Sequence, residues 1–251
     1  MQHSDELISH ISDLAERSFT RNIYTYSGFL NLAEQSSVHS CEKELKFAGI
    51  AFFGGQDGCE RQMVRFGSPE ILGYDEDFPI CTLEIRPLSG KFSDELSHRD
   101  FLGAIMNLGI DRELIGDIIV RENTGYVFAD EKMANYISEN LVKVKHTAVS
   151  CTVCSKIPEN AAPQFKEIDL VVSSNRCDAV VAKVFNLSRG KSQELFRSGN
   201  IFVNGRECEN SSLELKDGSA VSVRGFGKFI FDGITGQTGK GRTRTRVRLY
   251  V

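Results

Sequence analysis

The stretch from Phe78 to Val153 constrains the fold most, because its hydrophobic period switches repeatedly between 2 and 3.6. Phe78 to Ile85 reads as a strand. Ser97 is placed to cap a helix whose apolar face carries Phe101, Leu102, Ile105 and Leu108, with Gly109 as its stop. Gly116 to Val120 predicts a second strand, Asn123-Thr124-Gly125 a turn, and Tyr126 to Phe128 the return strand. Asp130 is placed to cap another helix with Met133, Ile137 and Leu141 inward, and His146 to Val153 is rich in β-formers. The resulting order is β-α-β-β-α-β.

That order is the split arrangement of ferredoxin-like and RNA-recognition domains. Fold alone gives no function. Recognition domains stack bases on aromatics of the central strands, and Thr124-Gly125-Tyr126-Val127-Phe128 echoes that pattern without the basic residue before Gly125. Tyr126 and Phe128 therefore have two readings, base stacking and packing of a sheet face, and the missing cation and the acidic surroundings favour packing.

With 251 residues the chain exceeds one small core, and 41% hydrophobic against 25% charged residues excludes a wholly disordered chain. Before the central pattern, residues 5–36 read as helical, Ala48 to Phe53 and Arg61 to Phe66 as strands, with Asp57-Gly58 turning between them and a boundary near Gly73. After it, residues 156–164, with Pro158 and Pro163, read as a linker. The predicted class is α+β and multidomain. It comprises an N-terminal α/β segment (1–73), a ferredoxin-like middle domain (74–157), a small α+β domain (165–232) and a basic extension (233–251). No apolar run is long enough to span a membrane and no secretory leader opens the sequence. Seven scattered cysteines then predict free thiols in a reducing cytoplasm.

Charge divides the chain. Residues 1–164 hold 15 basic and 25 acidic residues (net −10), and residues 165–251 hold 15 and 9 (net +6), giving the overall −4. Within the second part, residues 165–223 balance at 8 and 8, and residues 224–251 carry 7 basic residues against Asp232 alone. Such asymmetry has two readings, a surface for a polyanion and a solvated basic tail.

The last part is where chemistry concentrates. Ser174 to Phe185 predicts a helix with Val180, Val181, Val184 and Phe185 inward, and Ser188 is placed to cap a second helix that Gly199 stops. Ile201 to Gly205 is a strand and turn, with Val221 and Val223 on a further strand. Long cations at Arg176, Lys183, Arg189, Lys191 and Arg197 lie opposite the core, where their stems cover the helices. The start of the second helix adds free amide donors and the positive end of a dipole, which suits phosphate oxygens. From Arg242 the cations alternate with Thr or Val, so an extended backbone puts Arg242, Arg244, Arg246 and Arg248 on one side. The rival reading of this segment is a flexible tail ordered only on binding.

The domain at 165–232 resembles, over about 60 residues, the RNA-binding domain named after ribosomal protein S-four. The resemblance rests on Arg176-x-Asp178, Ser188-Arg189 with Lys191-Ser192, Gly199, Val203-Asn204-Gly205, and Leu215 to Gly225. Two departures are Cys177, where that family often has Leu, and Asp217-Gly218-Ser219 before the last strand. Taken whole, the chain is similar to the YlmH family of bacterial RNA-binding proteins. That similarity is carried by His98 to Ala104, Leu108 to Ile110 with Ile115 to Asp117, and Gly225 to Arg244. It implies a non-enzymatic, cytoplasmic partner of ribosomal RNA, tRNA and the large ribosomal subunit, acting on obstructed peptidyl-tRNA in quality control. The chain is expected to be a monomer when free and to need no cofactor or metal. Candidate RNA contacts are Arg176, Lys183, Ser188, Arg189, Lys191, Ser192, Arg197, Asn204, Arg206, Arg224, Lys228, Lys240, Arg242, Arg244 and Arg246.

Rival chemistries fit less well. S-four domains accompany pseudouridine synthases, but the Gly-Arg-Leu-Asp-like motif and large β-rich domain of those enzymes are missing from the sequence. An adaptor whose acidic half binds a basic protein is a third reading. Gly233 to Gly241 is no phosphate loop, since Ile234 and Gly241 occupy required Gly and Ser/Thr places. His98-Arg99-Asp100 is kinase-like only in name and suits a helix start or an interdomain contact, with a ribosome-facing role for Arg99 as the alternative. Cys151-x-x-Cys154 with His146 supplies too few zinc ligands, and a strand points its two thiols to opposite faces.

Overall fold

A computed structural model describes residues 2–89, 94–154, 158–159, 162–239 and 241–251. The chain divides into two compact units, Met1–Ala162 and Pro163–Val251. Among the described residues no helix is long and apolar enough to cross a membrane.

The first unit begins with α1 (Gln2–Arg21), β1 (Thr25–Tyr26), α2 (Leu32–Ser40), α3 (Glu42–Leu45), β2 (Ile50–Phe53), β3 (Met63–Phe66) and α4 (Pro69–Leu72). Strands β1, β3 and β2 form a small antiparallel sheet in that order. The single helical stretch expected over 5–36 is two helices. Asn22, at φ +52°, follows the last turn of α1 in the left-handed region, which Asn tolerates. Asn31 then restarts the helix with a reciprocal cap: its side chain accepts from the Ala33 and Glu34 amides, and Glu34 accepts from the Asn31 amide. The Asn-x-x-Glu spacing was readable; the apolar period ran through it.

The unit continues with β4 (Ile80–Pro87), α5 (His98–Met106), β5 (Ile115–Arg121), β6 (Thr124–Asp130), α6 (Glu131–Asn140), β7 (Lys143–Val144) and β8 (Thr147–Cys154). The strand order is β5-β6-β4-β8-β7 with every pair antiparallel. The β5–β6 turn is Glu122-Asn123, both at positive φ, slightly earlier than the Asn-Thr-Gly turn expected. One face of this sheet packs Leu83, Ile85, Val127 and Ala129 against Phe101 and Ile105 of α5 and Ile137 of α6.

The N-terminal segment covers part of the other face. Phe128 belongs to a buried cluster with Phe29, Cys59 and Met63. Both Asp117 carboxylate oxygens on β5 accept backbone N–H bonds, from Glu60 at 2.6 Å and Arg61 at 3.0 Å. Arg61 in turn donates to the carbonyls of Ile115 at 3.1 Å and Phe29 at 2.5 Å. The boundary expected near Gly73 therefore crosses a shared core. Tyr126 and Phe128 are 1% and 0% exposed, so they pack this face.

The second unit comprises β9 (Phe165–Val172), α7 (Cys177–Val184), α8 (Arg189–Arg197), β10 (Ile201–Val203), β11 (Arg206–Glu207), β12 (Ser219–Val223), β13 (Gly227–Gln237) and β14 (Thr243–Tyr250). Its sheet runs β11-β10-β12-β13-β14-β9. Its core joins Val180 and Val181 of α7 and Leu195 and Phe196 of α8 to Val221, Phe229, Phe231 and Val247 of the sheet. Asn204-Gly205, both at positive φ, turns β10 into β11 as the dipeptide predicts. The segment expected as a basic extension instead contributes the end of β13 and all of β14 to the sheet. β14 pairs with β13 on one side and with β9, from Thr243–Val172 to Tyr250–Phe165, on the other. Thr245 and Val247 are fully buried, which is what alternation of Arg with Thr or Val achieves in a half-buried strand. Fold class is α+β, with several antiparallel sheets and helices.

Candidate nucleic-acid interface

The geometry starts at the α7–α8 corner. Arg176 is the residue before α7, Lys183 lies in its last turn, Asn186 breaks the chain at φ +50°, and Arg189 opens α8. Together with Ser173 and Ser174 these residues line one cleft of about 540 Å³. Ser188 caps α8 as predicted, its hydroxyl accepting from the Lys191 amide at 3.2 Å.

Asp178 organises the corner. Its carboxylate accepts from Arg176 Nε at 3.0 Å and Nη2 at 2.8 Å, from Gln193 at 3.0 Å and from the Ala179 amide at 2.9 Å. The Arg176–Asp178 bond holds the guanidinium firmly protonated. It also leaves part of the five-donor guanidinium fork for another anion. Ser192 is different from what its position suggested. Its hydroxyl is 1% exposed and donates to the Asp178 carbonyl at 3.2 Å, locking α8 onto α7. Lys183 and Arg189 are exposed at the rim and form no ion pair among the described residues.

A second, smaller cleft of about 280 Å³ is lined by Asp169, Leu170, Val171, Thr235, Arg244 and Arg246. Val171, 41% exposed, lines both clefts, so the helical corner and β14 form one track. The arginines of β14 divide by role. Arg246 pairs with Asp169 at 2.9 Å and Arg248 with Asp232 at 2.9 Å, and Arg248 also lies 5.2 Å over the Phe165 ring. These pairs raise both guanidinium pKa values. Arg242 and Arg244 are exposed, with no ion pair among the described residues.

The remaining predicted contacts scatter. Lys191 meets Glu194 at 3.0 Å on the exposed side of α8, and Arg197 sits in its last turn, at the far end from the cleft. Asn204 serves its turn, accepting from the Ala220 amide at 2.9 Å. Arg206 is on β11, at the sheet edge opposite β9. Arg224 stacks 5.0 Å over Phe202, and Lys228 lies 5.2 Å over Tyr250. Lys240 falls outside the described residues. Sequence reasoning missed Val171, Ser173 and Ser174, whose role depends on β9 ending beside α7, and Asn186, which lies between the two expected helices.

Comparison with known proteins places the chain. Residues 74–156 match the family model described as "Putative RNA-binding domain in YlmH". Over 197 residues, 78% of this chain and 76% of the relative, the sequence is 33% identical to the "Ribosome-associated protein quality control protein P2" of Bacillus subtilis (strain 168). The chain belongs to the YlmH family. The solved structure of the cell division protein ylmH from Streptococcus pneumoniae is also similar, at 21% identity and a TM-score of 0.47, covering 61% of this chain and 91% of that one. In this YlmH-family chain, the residues matched by the family model run from the last residues before β4 to just past β8. The basic track lies beyond them, in the second unit.

Proposed function

We propose that this protein binds structured RNA on the ribosome and acts in translation quality control without catalysing a reaction. The observation that carries this is the cleft in which Arg176, Lys183 and Arg189 converge at the N-terminus of α8. Cations and the start of a helix around a concave surface suit phosphate oxygens of folded RNA, read by shape more than by sequence. The quality-control name of the Bacillus relative and the RNA-binding description of the matched family support the same reading. The second unit, with its two helices packed on one sheet, is read as an S-four-type domain, and the β-α-β-β-α-β part of the first as ferredoxin-like. The finer assignment is a large subunit carrying obstructed peptidyl-tRNA, with ribosomal RNA and tRNA as ligands in the cytoplasm.

The test is binding of the full chain to large-subunit RNA across a salt series. Neutralising about five phosphates gives a slope of log affinity against log salt of about −3.5 on the single-strand coefficient. Lys183→Glu with Arg189→Glu weakens binding while leaving circular dichroism unchanged. Salt-independent binding, or wild-type affinity in the folded double variant, overturns the reading.

A further inference from the structure

The matched RNA-binding segment poses a problem of faces. A recognition domain of this topology stacks bases on its central strands, yet here that face is occupied. Phe128 is fully buried, and Gly55 approaches so closely that a Cβ there would sit 2.3 Å from Phe128 Cδ1. The bonds from the Glu60 and Arg61 amides to Asp117 hold the covering segment down.

On the opposite, helical side lies a groove of about 450 Å³ between α5 and the chain that leaves α6 through β7. Its floor includes Gly103 and Leu141, and its rim carries Arg99, Lys143 and Lys145, with Asn107 and Asn140 adding amide donors. Such a rim is unusual in a segment whose sequence, residues 1–164, sums to −10. One carboxylate enters the groove, and it is neutralised in place. Asp100 accepts from the Ser97 amide at 2.8 Å, takes the Ser97 hydroxyl, and pairs with Lys145 at 2.9 Å. Arg99 and Lys143 are exposed and form no ion pair among the described residues, so their charge is available.

We propose that this groove is a second RNA site, which grips the phosphate backbone of a folded RNA through Arg99 and Lys143. The occupant is a polyanion by charge and a backbone by shape. The residues lining the groove offer cations and amides around a shallow apolar floor and include no aromatic ring, and the exposed Tyr136 beside it is tied through its hydroxyl to the Leu108 carbonyl at 3.1 Å. The assignment presupposes the RNA-binding reading given above, and locates where the first unit joins it. Two separate basic sites on one chain bind one large RNA more tightly than either alone, provided both reach it together.

The test uses the full chain and fluorescein-labelled bulk tRNA, with purified large ribosomal subunits as a second probe. Arg99→Glu with Lys143→Glu weakens binding about tenfold or more and reduces the salt slope by about 1.4, about 0.7 for each lost phosphate contact on the same single-strand coefficient. Lys43→Glu with Lys46→Glu makes the same change of net charge at exposed sites off the groove and leaves affinity within about twofold. Gly103 offers an independent probe, since a Cβ there meets nothing within 4 Å. Gly103→Glu weakens binding and the isosteric Gly103→Gln does so far less. If wild type binds and Lys183→Glu with Arg189→Glu weakens it, but the groove variants match the Lys43/Lys46 control, the groove site is refuted and the function stands. If wild type binds neither probe, the function itself falls.

Discussion

Substituting Gly55 by Ala tests the central packing claim for the first unit, that the N-terminal segment seals the sheet over Phe128. Gly55 has φ +105°, a conformation L side chains rarely adopt, and its added methyl would fall 2.3 Å from Phe128 Cδ1 and 2.8 Å from Cε1. Phe128 cannot retreat, since it is fully buried with Phe29, Cys59 and Met63 around it. The backbone contributes about 1–3 kcal/mol of strain, and forcing a methyl into a packed core about 1–3 kcal/mol more. The sum, about 2–6 kcal/mol, is a large share of the stability of a domain this size. With a urea m-value of about 3 kcal/mol/M, the unfolding midpoint falls by about 0.7–2 M. Far-ultraviolet circular dichroism is the assay, because the chain has no Trp to report by fluorescence. Gly103→Ala is the paired control. It lies inside α5 with open space around its Cβ, so it stabilises by up to about 1 kcal/mol through helix propensity. Equal midpoints for Gly55→Ala and wild type would refute the seal.

Further expectations follow from single sites. Asp178→Ala removes the acceptor of Arg176, Gln193 and the Ala179 amide at the cleft, and thermal unfolding should show a loss of about 2 kcal/mol, moderated because Arg176 is part exposed. The Ser97 and Lys145 hydrogen bonds hold the Asp100 carboxyl at about 2, below its ordinary 3.8. Its contribution to stability is therefore present above about pH 4 and lost as pH falls toward about 2, so Asp100→Asn flattens acid unfolding over that window. Burial pushes the Cys151 thiol up to about 12 and the Cys81 thiol up to about 11. Iodoacetamide at pH 8 should leave both unmodified in the native protein, and rapid labelling seen by peptide mass spectrometry would contradict their packing.

Local chemistry was legible wherever one short stretch contains its own cause. The caps at Ser97, Asp130 and Ser188, the Asn204-Gly205 turn and the alternation along β14 each depend on residues within a few positions, and the strand parity that separates Cys151 from Cys154 appears in the register against Ile85 and Thr82. The charge division between the two parts was likewise a property of the chain alone. Where periodicity was the only guide, it overran: the apolar period hid the break from Asn22 to Asn31.

What the sequence could not decide is which charged residues are available and which face is open. Arg242, Arg244, Arg246 and Arg248 are one pattern in the chain, yet Asp169 on β9, distant in sequence, claims Arg246, and Asp232 on the neighbouring strand β13 claims Arg248. Ser192 matches a family motif, but its hydroxyl is turned into the α7–α8 contact. Tyr126 and Phe128 pointed to a sheet face, and only the return of residues 54–61 over that face closed it. Short-range rules act through neighbours a few bonds away and survive in a linear pattern. Availability is set by partners brought together from far along the chain, and exists only once the fold has formed.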